Sequence, residues 1–369
     1  MSYEQHDGYT IHRNLHEKEE SERAYRKILE ELCDFVLLDK APELIKTFGL
    51  EVTKFFNCRN FQQDHNLPDS YVRSPSNSRE SKIVRKTGRT DIYLSETARE
   101  MAGENEAIYN ILHNLYAKVT QIDTPLAFTN GLDQLCVKSY GCEENLPTLD
   151  CKMFESFGPP TCDKNPFHYF ALYCFGACTN INIANRGQIS ILRNFDRHFT
   201  LLSKWMSPGG QFDQGRQRKG SIVTVFNNFN LNNVNNALKS HYLSRNESHL
   251  YLPLEWITVN LQIGELLVID CRIPYKFHKN DNNIPAIYTT ISLLPIPQDW
   301  KTSSRRTKLI KTITSGFVGD SSKRVLKGTN TNEYTWRKNN TAQYSLDKIV
   351  DTHNFSTHNK IIYGLDTSP

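Results

Sequence analysis

The sequence predicts an α+β protein that is mostly β, on three observations. Helical periodicity is confined to the first third, short β-type runs fill the part after about residue 165, and the loops between those runs are rich in Asn, Gly and Pro. A length of 369 residues allows two domains, or one large β-rich domain with helical additions. Counting the 18 Gly in place of the 17 Tyr leaves the apolar share near 38%, below the roughly 45–50% of average domains. The core is therefore adequate but diluted by polar loops. Lys and Arg total 44 against 40 Asp and Glu, a formal charge of +4. That balance is too even to imply a nucleic-acid or membrane partner by itself.

No stretch approaches the roughly 18 apolar residues of a membrane span, and the start, MSYEQHDGYTIHRN, lacks the apolar core of a signal peptide. Together with an odd number of cysteines, nine, this predicts reduced thiols and a cytoplasmic or nuclear setting.

The elements follow in order. Tyr25, Ile28, Leu29, Leu32 and Val36 recur at helical spacing over 21–39, with Ser21 as N-cap. Pro42 opens a second helix, PELIKTFGL, closed by Gly49. Residues 59–90 read as a polar connection whose later part carries Arg73, Arg79, Lys82, Arg85, Lys86 and Arg89. A helix at about 95–119 places Met101, Ile108, Leu112 and Leu115 on one side. Six strand-like runs then appear: FHYFALYCF, QISILRNF, SIVTVF, WITVNLQ, GELLVIDC and AIYTTISLL. The segment 227–236, NNFNLNNVNN, reads as a low-complexity surface loop. Residues 1–120 thus hold an N-terminal strand, helices and the basic loop at 59–90, and 121–369 hold the β body and a C-terminal tail, the two forming one integrated domain.

The most informative stretch is 251–297. One strand ends at Gly264, a second (ELLVID) delivers the loop Cys271-Arg-Ile-Pro-Tyr275, and a third (AIYTTISLLP) returns. Gly264-Glu-Leu followed by Asp270-Cys-Arg-Ile-Pro-Tyr275 resembles the phytanoyl-CoA dioxygenase-like family of Fe(II)/2-oxoglutarate oxygenases. The family's pattern there is Gly-Asp-Leu, then Asp-Ser-Arg-Leu-Pro-His. Asp7-Gly-Tyr-Thr-Ile, Asn185-Arg-Gly-Gln-Ile-Ser-Ile-Leu-Arg and Ile361-Ile-Tyr-Gly-Leu-Asp366 are similar to other parts of it. The resemblance implies a double-stranded β-helix of jelly-roll or cupin-like form, with N-terminal helices packed on it. The Asn-rich composition also resembles that of proteins from large DNA viruses.

The family's iron is held by two His and one carboxylate on one face, leaving positions for 2-oxoglutarate and oxygen. The resemblance puts its His-x-Asp at Thr161-Cys-Asp163, which keeps the carboxylate and loses the His. A second registration puts it at Gln211-Phe-Asp213, again without the His. The second His falls on Tyr275. The basic residue that pairs with 2-oxoglutarate falls near Ile284 or Ala286, neither of which pairs with an anion. The resemblance therefore implies a pseudoenzyme with a vestigial site at Thr161, Asp163, Tyr275, Ile284 and Ala286, no cofactor, and a binding or scaffold role toward a protein or small ligand. Two rivals stand beside it. One is an active oxygenase using Fe(II) and 2-oxoglutarate, with Asp163 and His278 as ligands. The other is a zinc-stabilised interaction protein built on the Cys136–Cys178 region, with Cys162, His168, Cys174 and Cys178 as ligands. Residues Arg85, Lys86, Arg89, Arg305, Arg306 and Lys308 offer clustered cations for nucleic acid or another polyanion.

Overall fold

A computed structural model describes residues 2–6, 8–37, 96–121, 123–128, 134–138, 144–149, 169–176, 186–207, 209–212, 215–217, 224–226, 229–281, 285–296 and 356–365. In chain order the strands are β1 (Ser2–His6), β2 (Tyr9–Arg13), β3 (Leu126–Phe128), β4 (Gln134–Lys138), β5 (Thr148–Leu149) and β6 (Tyr169–Gly176). They continue with β7 (Ile189–Arg193), β8 (Gly215–Gln217), β9 (Thr224–Phe226), β10 (Glu255–Val259), β11 (Leu266–Asp270), β12 (Tyr275–Phe277) and β13 (Ala286–Pro295). The helices are α1 (Lys18–Leu37), α2 (Glu106–Thr120), α3 (Phe199–Met206), α4 (Leu231–Ser244) and α5 (Thr357–Ile362).

The strands form two antiparallel sheets. The larger runs β1-β2-β11-β6-β13-β3, with β4 also paired to β13, and the smaller runs β10-β7-β12-β5-β9-β8. Strand periodicity explains why both are needed. On β7, Ile189 and Ile191 point to one core cluster while Leu192 points to another. The first cluster is shared by both sheets: Phe170, Leu172, Leu267, Ile269 and Tyr288 come from the larger, and Ile189, Ile191, Val259, Tyr275 and Phe277 from the smaller. The second covers the outer face of the smaller sheet with Leu202 and Met206 of α3 and Val234 and Leu238 of α4, all fully buried.

On the larger sheet β11 is buried at every position and β6 at all but its first, which is why both read as near-continuous apolar runs. Helices α1 and α2 cover the second face of β6. The N-terminal strand β2 joins this sheet beside β11, pairing Ile11 with Leu267. Arg13 ties it further by an ion pair to the buried Glu265 at 2.5 Å, whose other oxygen accepts from the Gln262 amide.

Three sequence expectations change. Helix α1 begins at Lys18, and Ser21 lies inside its first turns, fully buried with Oγ 3.4 Å from the Tyr173 hydroxyl, so it is no cap. The helix expected at 95–119 is interrupted. Glu96–Ala98 runs into a π-helical turn, Arg99–Gly103, and α2 restarts with Asn105 as N-cap, its Oδ1 accepting from the Ile108 amide. The Asn-rich segment is mostly helix α4 rather than loop. Asn230 caps it, and Asn235 makes paired hydrogen bonds with the backbone of Leu254. All six expected strands form. The expected Pro42 helix and the 59–90 connection lie outside the described residues.

The turn before β11 depends on Gly264, whose φ of +79° lies in the left-handed region and whose missing Cβ would stand 2.7 Å from Ser21 Oγ. Replacing Gly264→Ala is expected to cost about 1–3 kcal/mol, through backbone strain and displacement of α1 from the sheet. Denaturant unfolding checks it, and an unchanged midpoint would contradict this account of the turn.

Candidate functional site

The site is built where β11 hands over to β12. The Asp270 carboxylate folds back on its own turn: Oδ1 accepts from the Arg272 amide at 2.9 Å, and the Ile273 amide donates to the Asp270 carbonyl at 2.9 Å. The Arg272 guanidinium spans the same carboxylate, Nε to Oδ1 at 3.0 Å and an Nη to Oδ2 at 2.7 Å. Burial opposes the Arg272 charge, but the Asp270 contacts prevail and hold its pKa above the usual value. Asp196 stands nearby with its pKa raised, by burial first and then by Asp270. The turn fixes where the chain re-enters the fold. Leu192 then donates to the Pro274 carbonyl at 2.8 Å, and Tyr275 pairs directly with Ile191.

Tyr275 therefore points into the space between the sheets. It is 2% exposed. Its ring lies 4.9 Å from that of Phe170 and 6.0 Å from that of Phe277, the latter edge to face, and Phe277 in turn lies 5.1 Å from Tyr288. Tyr275, where the resemblance puts the second His, thus carries an aromatic ring inside an aromatic cluster.

Ala286, one of the two positions (with Ile284) that the resemblance gives to the basic residue, opens β13 and is buried in the same core. Directly across from it on β4 is Lys138, also fully buried. Lys138 Nζ donates to Asn145 Oδ1 at 3.0 Å, and its carbonyl accepts from Asn280 Nδ2 at 2.5 Å. Asn145 and Asn280 are buried with it. Sequence reading missed Lys138 because a lysine in a loop-flanked segment reads as surface, and only the register with Ala286 reveals it.

His278 lies on the other face of the smaller sheet. It follows Phe277, which points inward, and its Nε2 sits 2.7 Å from Ser190 Oγ, itself 3.0 Å from Thr258 Oγ1. Glu144 approaches Nδ1 at 3.6 Å and bonds Lys276 at 2.6 Å. Burial lowers the His278 pKa, with Glu144 opposing it. The side chain is 23% exposed, half-buried rather than turned out to solvent. Cys174 and Cys136 are buried in the inter-sheet core, where burial pushes the Cys174 pKa well up.

Other expected site residues lie outside the described ones: Thr161, Asp163, Ile284, Cys162, His168, Cys178, Asp213, and the cations Arg85, Lys86, Arg89, Arg305, Arg306 and Lys308. Gln211 is exposed. Among the described residues no group of three or more His, Cys, Asp or Glu is arranged to hold a metal ion, and no helix is long and apolar enough to cross a membrane. The resemblance puts an iron-binding imidazole at Tyr275, and a phenol packed among rings does not fit that role.

No protein-family model matches the chain, and no curated protein matches it. Among solved structures it is similar to EctD from S. alaskensis, solved with 2-oxoglutarate and 5-hydroxyectoine, at 9% identity and a TM-score of 0.39 over 79% of this chain and 73% of that one. It is also similar to SnoN, a non-heme alpha-ketoglutarate-dependent epimerase from nogalamycin biosynthesis, at 12% identity and a TM-score of 0.37 over 79% of each chain. A third is the Escherichia coli hypothetical protein JW0805, at 10% identity and a TM-score of 0.45 over 75% of this chain and 70% of that one. All three TM-scores fall below 0.5, and the architecture is described by this chain's own strand order.

If Tyr275 is a core aromatic, truncating it to Ala leaves a cavity between the sheets and costs about 3–5 kcal/mol. Chemical denaturation reads this directly. A loss under about 1 kcal/mol, in the range of surface substitutions, would place the ring outside the packed interior.

Proposed function

We propose that this chain is a double-stranded β-helix of the phytanoyl-CoA dioxygenase-like kind whose metal apparatus has been replaced, and that it works by binding a protein or small ligand rather than by oxygen chemistry. The strand order supports the scaffold. The larger sheet holds β4-β13-β6-β11, the smaller holds β5-β12-β7-β10, and the chain alternates between them through β4, β5, β6 and β7, then again through β10, β11, β12 and β13. Two such interleaved sets of four are what an eight-stranded jelly roll requires. In that scheme the His-x-Asp belongs between β5 and β6. Thr161 and Asp163 fall in that connection, whereas Gln211 and Asp213 follow α3, which favours the first registration.

The observation that carries the reading is Tyr275. Its ring, where the resemblance puts the second His, packs against Phe170 and Phe277. A buried aromatic cluster keeps its stability without a metal, so the position is self-sufficient as it stands.

The rival, an oxygenase with non-standard ligands, draws support from Lys138. It lies across from Ala286 on the core face and supplies a cation at the level where the family holds a carboxylate. His278 gives it none, facing Ser190 on the outer side.

Anaerobic thermal-shift titration with Mn(II) and with 2-oxoglutarate, separately and together, tests the proposal. A ligand that binds only the folded state stabilises it by about 2.7 kcal/mol at a hundredfold excess over its dissociation constant. The expected result is no metal-dependent shift from 2-oxoglutarate. A shift that needs both and is lost in Asp163→Ala would establish the rival.

A further inference from the structure

Two segments far apart in sequence are fastened at one junction, where the π-helical turn gives way to α2. From one side comes His16. Its Nε2 lies 3.1 Å from Asn105 Nδ2, and its Nδ1 lies 2.6 Å from the Tyr173 hydroxyl. The amide orientation is set by the helix, because Asn105 Oδ1 accepts from the Ile108 amide at 3.1 Å. Nδ2 must then donate, so His16 Nε2 is an acceptor and Nδ1 carries the proton. From the other side comes the segment 356–365. Asn359 Nδ2 and the Tyr363 hydroxyl donate to the two oxygens of Glu104, at 3.0 and 2.6 Å, while Arg99 pairs with the same carboxylate. Ile362 and Tyr363 are fully buried beneath this contact. His358 stacks edge-on against Tyr109 at 5.0 Å, bonds the backbone of Glu104, and keeps its Nε2 buried with no hydrogen-bond partner.

Both histidines are thus built to be neutral. A second proton on His16 would set its N–H against the Asn105 amide donor. Flipping that amide would set Nδ2 against the Ile108 N–H instead, so one hydrogen bond is lost either way. A second proton on His358 would be buried without an acceptor. We propose that His358 makes the Glu104–Asn105 junction an acid-released clamp, which frees the segment 356–365 from the helical layer as the pH falls, while a second proton on His16 loosens the His16–Asn105 contact on the other side of the junction.

The surrounding charges are accounted for. His16 faces Glu20 of α1 and Tyr173 of β6, and burial outweighs Glu20 to lower its pKa below 6.5. His358 faces Glu104, Glu106 and Tyr109, and burial again outweighs the two carboxylates. The sign follows from those depressed values. A released histidine binds its proton first, so docking is fully stable above pH 6.5 and weakens as the pH drops through the depressed pKa.

Hydrogen exchange on the full chain at about pH 7.5 and about pH 5.5, corrected for intrinsic rates, tests the clamp. Protection across 357–365 is expected to fall at the lower pH, by at most about tenfold, the factor that the one unit between pH 5.5 and the ordinary histidine value of 6.5 allows, while β6 and β11 hold theirs. His358→Phe keeps a ring against Tyr109 but does not titrate, and most of the loss should vanish there. Equal protection of 357–365 at both pH values in the unmodified protein would overturn the proposal, as would an undiminished loss in His358→Phe.

Discussion

Two facing sheets about 10 Å apart must fill the gap between them with side chains dense enough to exclude water. In this protein that requirement is met by an aromatic and aliphatic layer centred on Phe170, Tyr275, Phe277 and Tyr288. Everything around it serves to aim those side chains. The Asp270–Arg272 turn sets the point at which the chain enters β12. The pairing of Tyr275 with Ile191 sets its register, and one residue of slip would turn Lys276 inward. The same pleat that buries Tyr275 and Phe277 sends Lys276 and His278 outward, where they meet Glu144, Trp256 and Ser190.

Three buried charged groups of the sheets, Lys138, Glu265 and Asp270, each have a partner. The Lys138 ammonium donates to Asn145, and its carbonyl accepts from Asn280. The buried Glu265 is held by Arg13 and by its own turn, and the buried Asp270 by Arg272. A core arranged this way is packed without a metal. That is the physical content of the proposal that binding, rather than oxygen chemistry, is what it does.

The sheets were legible because central strands buried on both faces write themselves as apolar runs: β6, β11 and β13 could be read directly. The Gly264–Tyr275 stretch also carried its turn in plain sight. Other features were hidden for identifiable reasons. Helix α4 is written in asparagines, poor helix formers whose value here is tertiary, since Asn230 caps and Asn235 grips Leu254. The break before α2 depends on a π-helical turn, for which periodicity gives no signal. Lys138 is visible only through a cross-strand register. The orientation of His278 follows from the alternation of β12, a strand of three residues too short to read from sequence.

The proposal turns on Tyr275, where the resemblance puts the second metal ligand, being a packed core position. Anomalous diffraction from crystals soaked anaerobically in Mn(II) and 2-oxoglutarate tests it most directly. This account predicts no manganese peak beside Tyr275 and an unmoved ring between Phe170 and Phe277. A peak within coordination distance of the Asp163 carboxylate, with the Tyr275 hydroxyl or a histidine completing the shell, would contradict it.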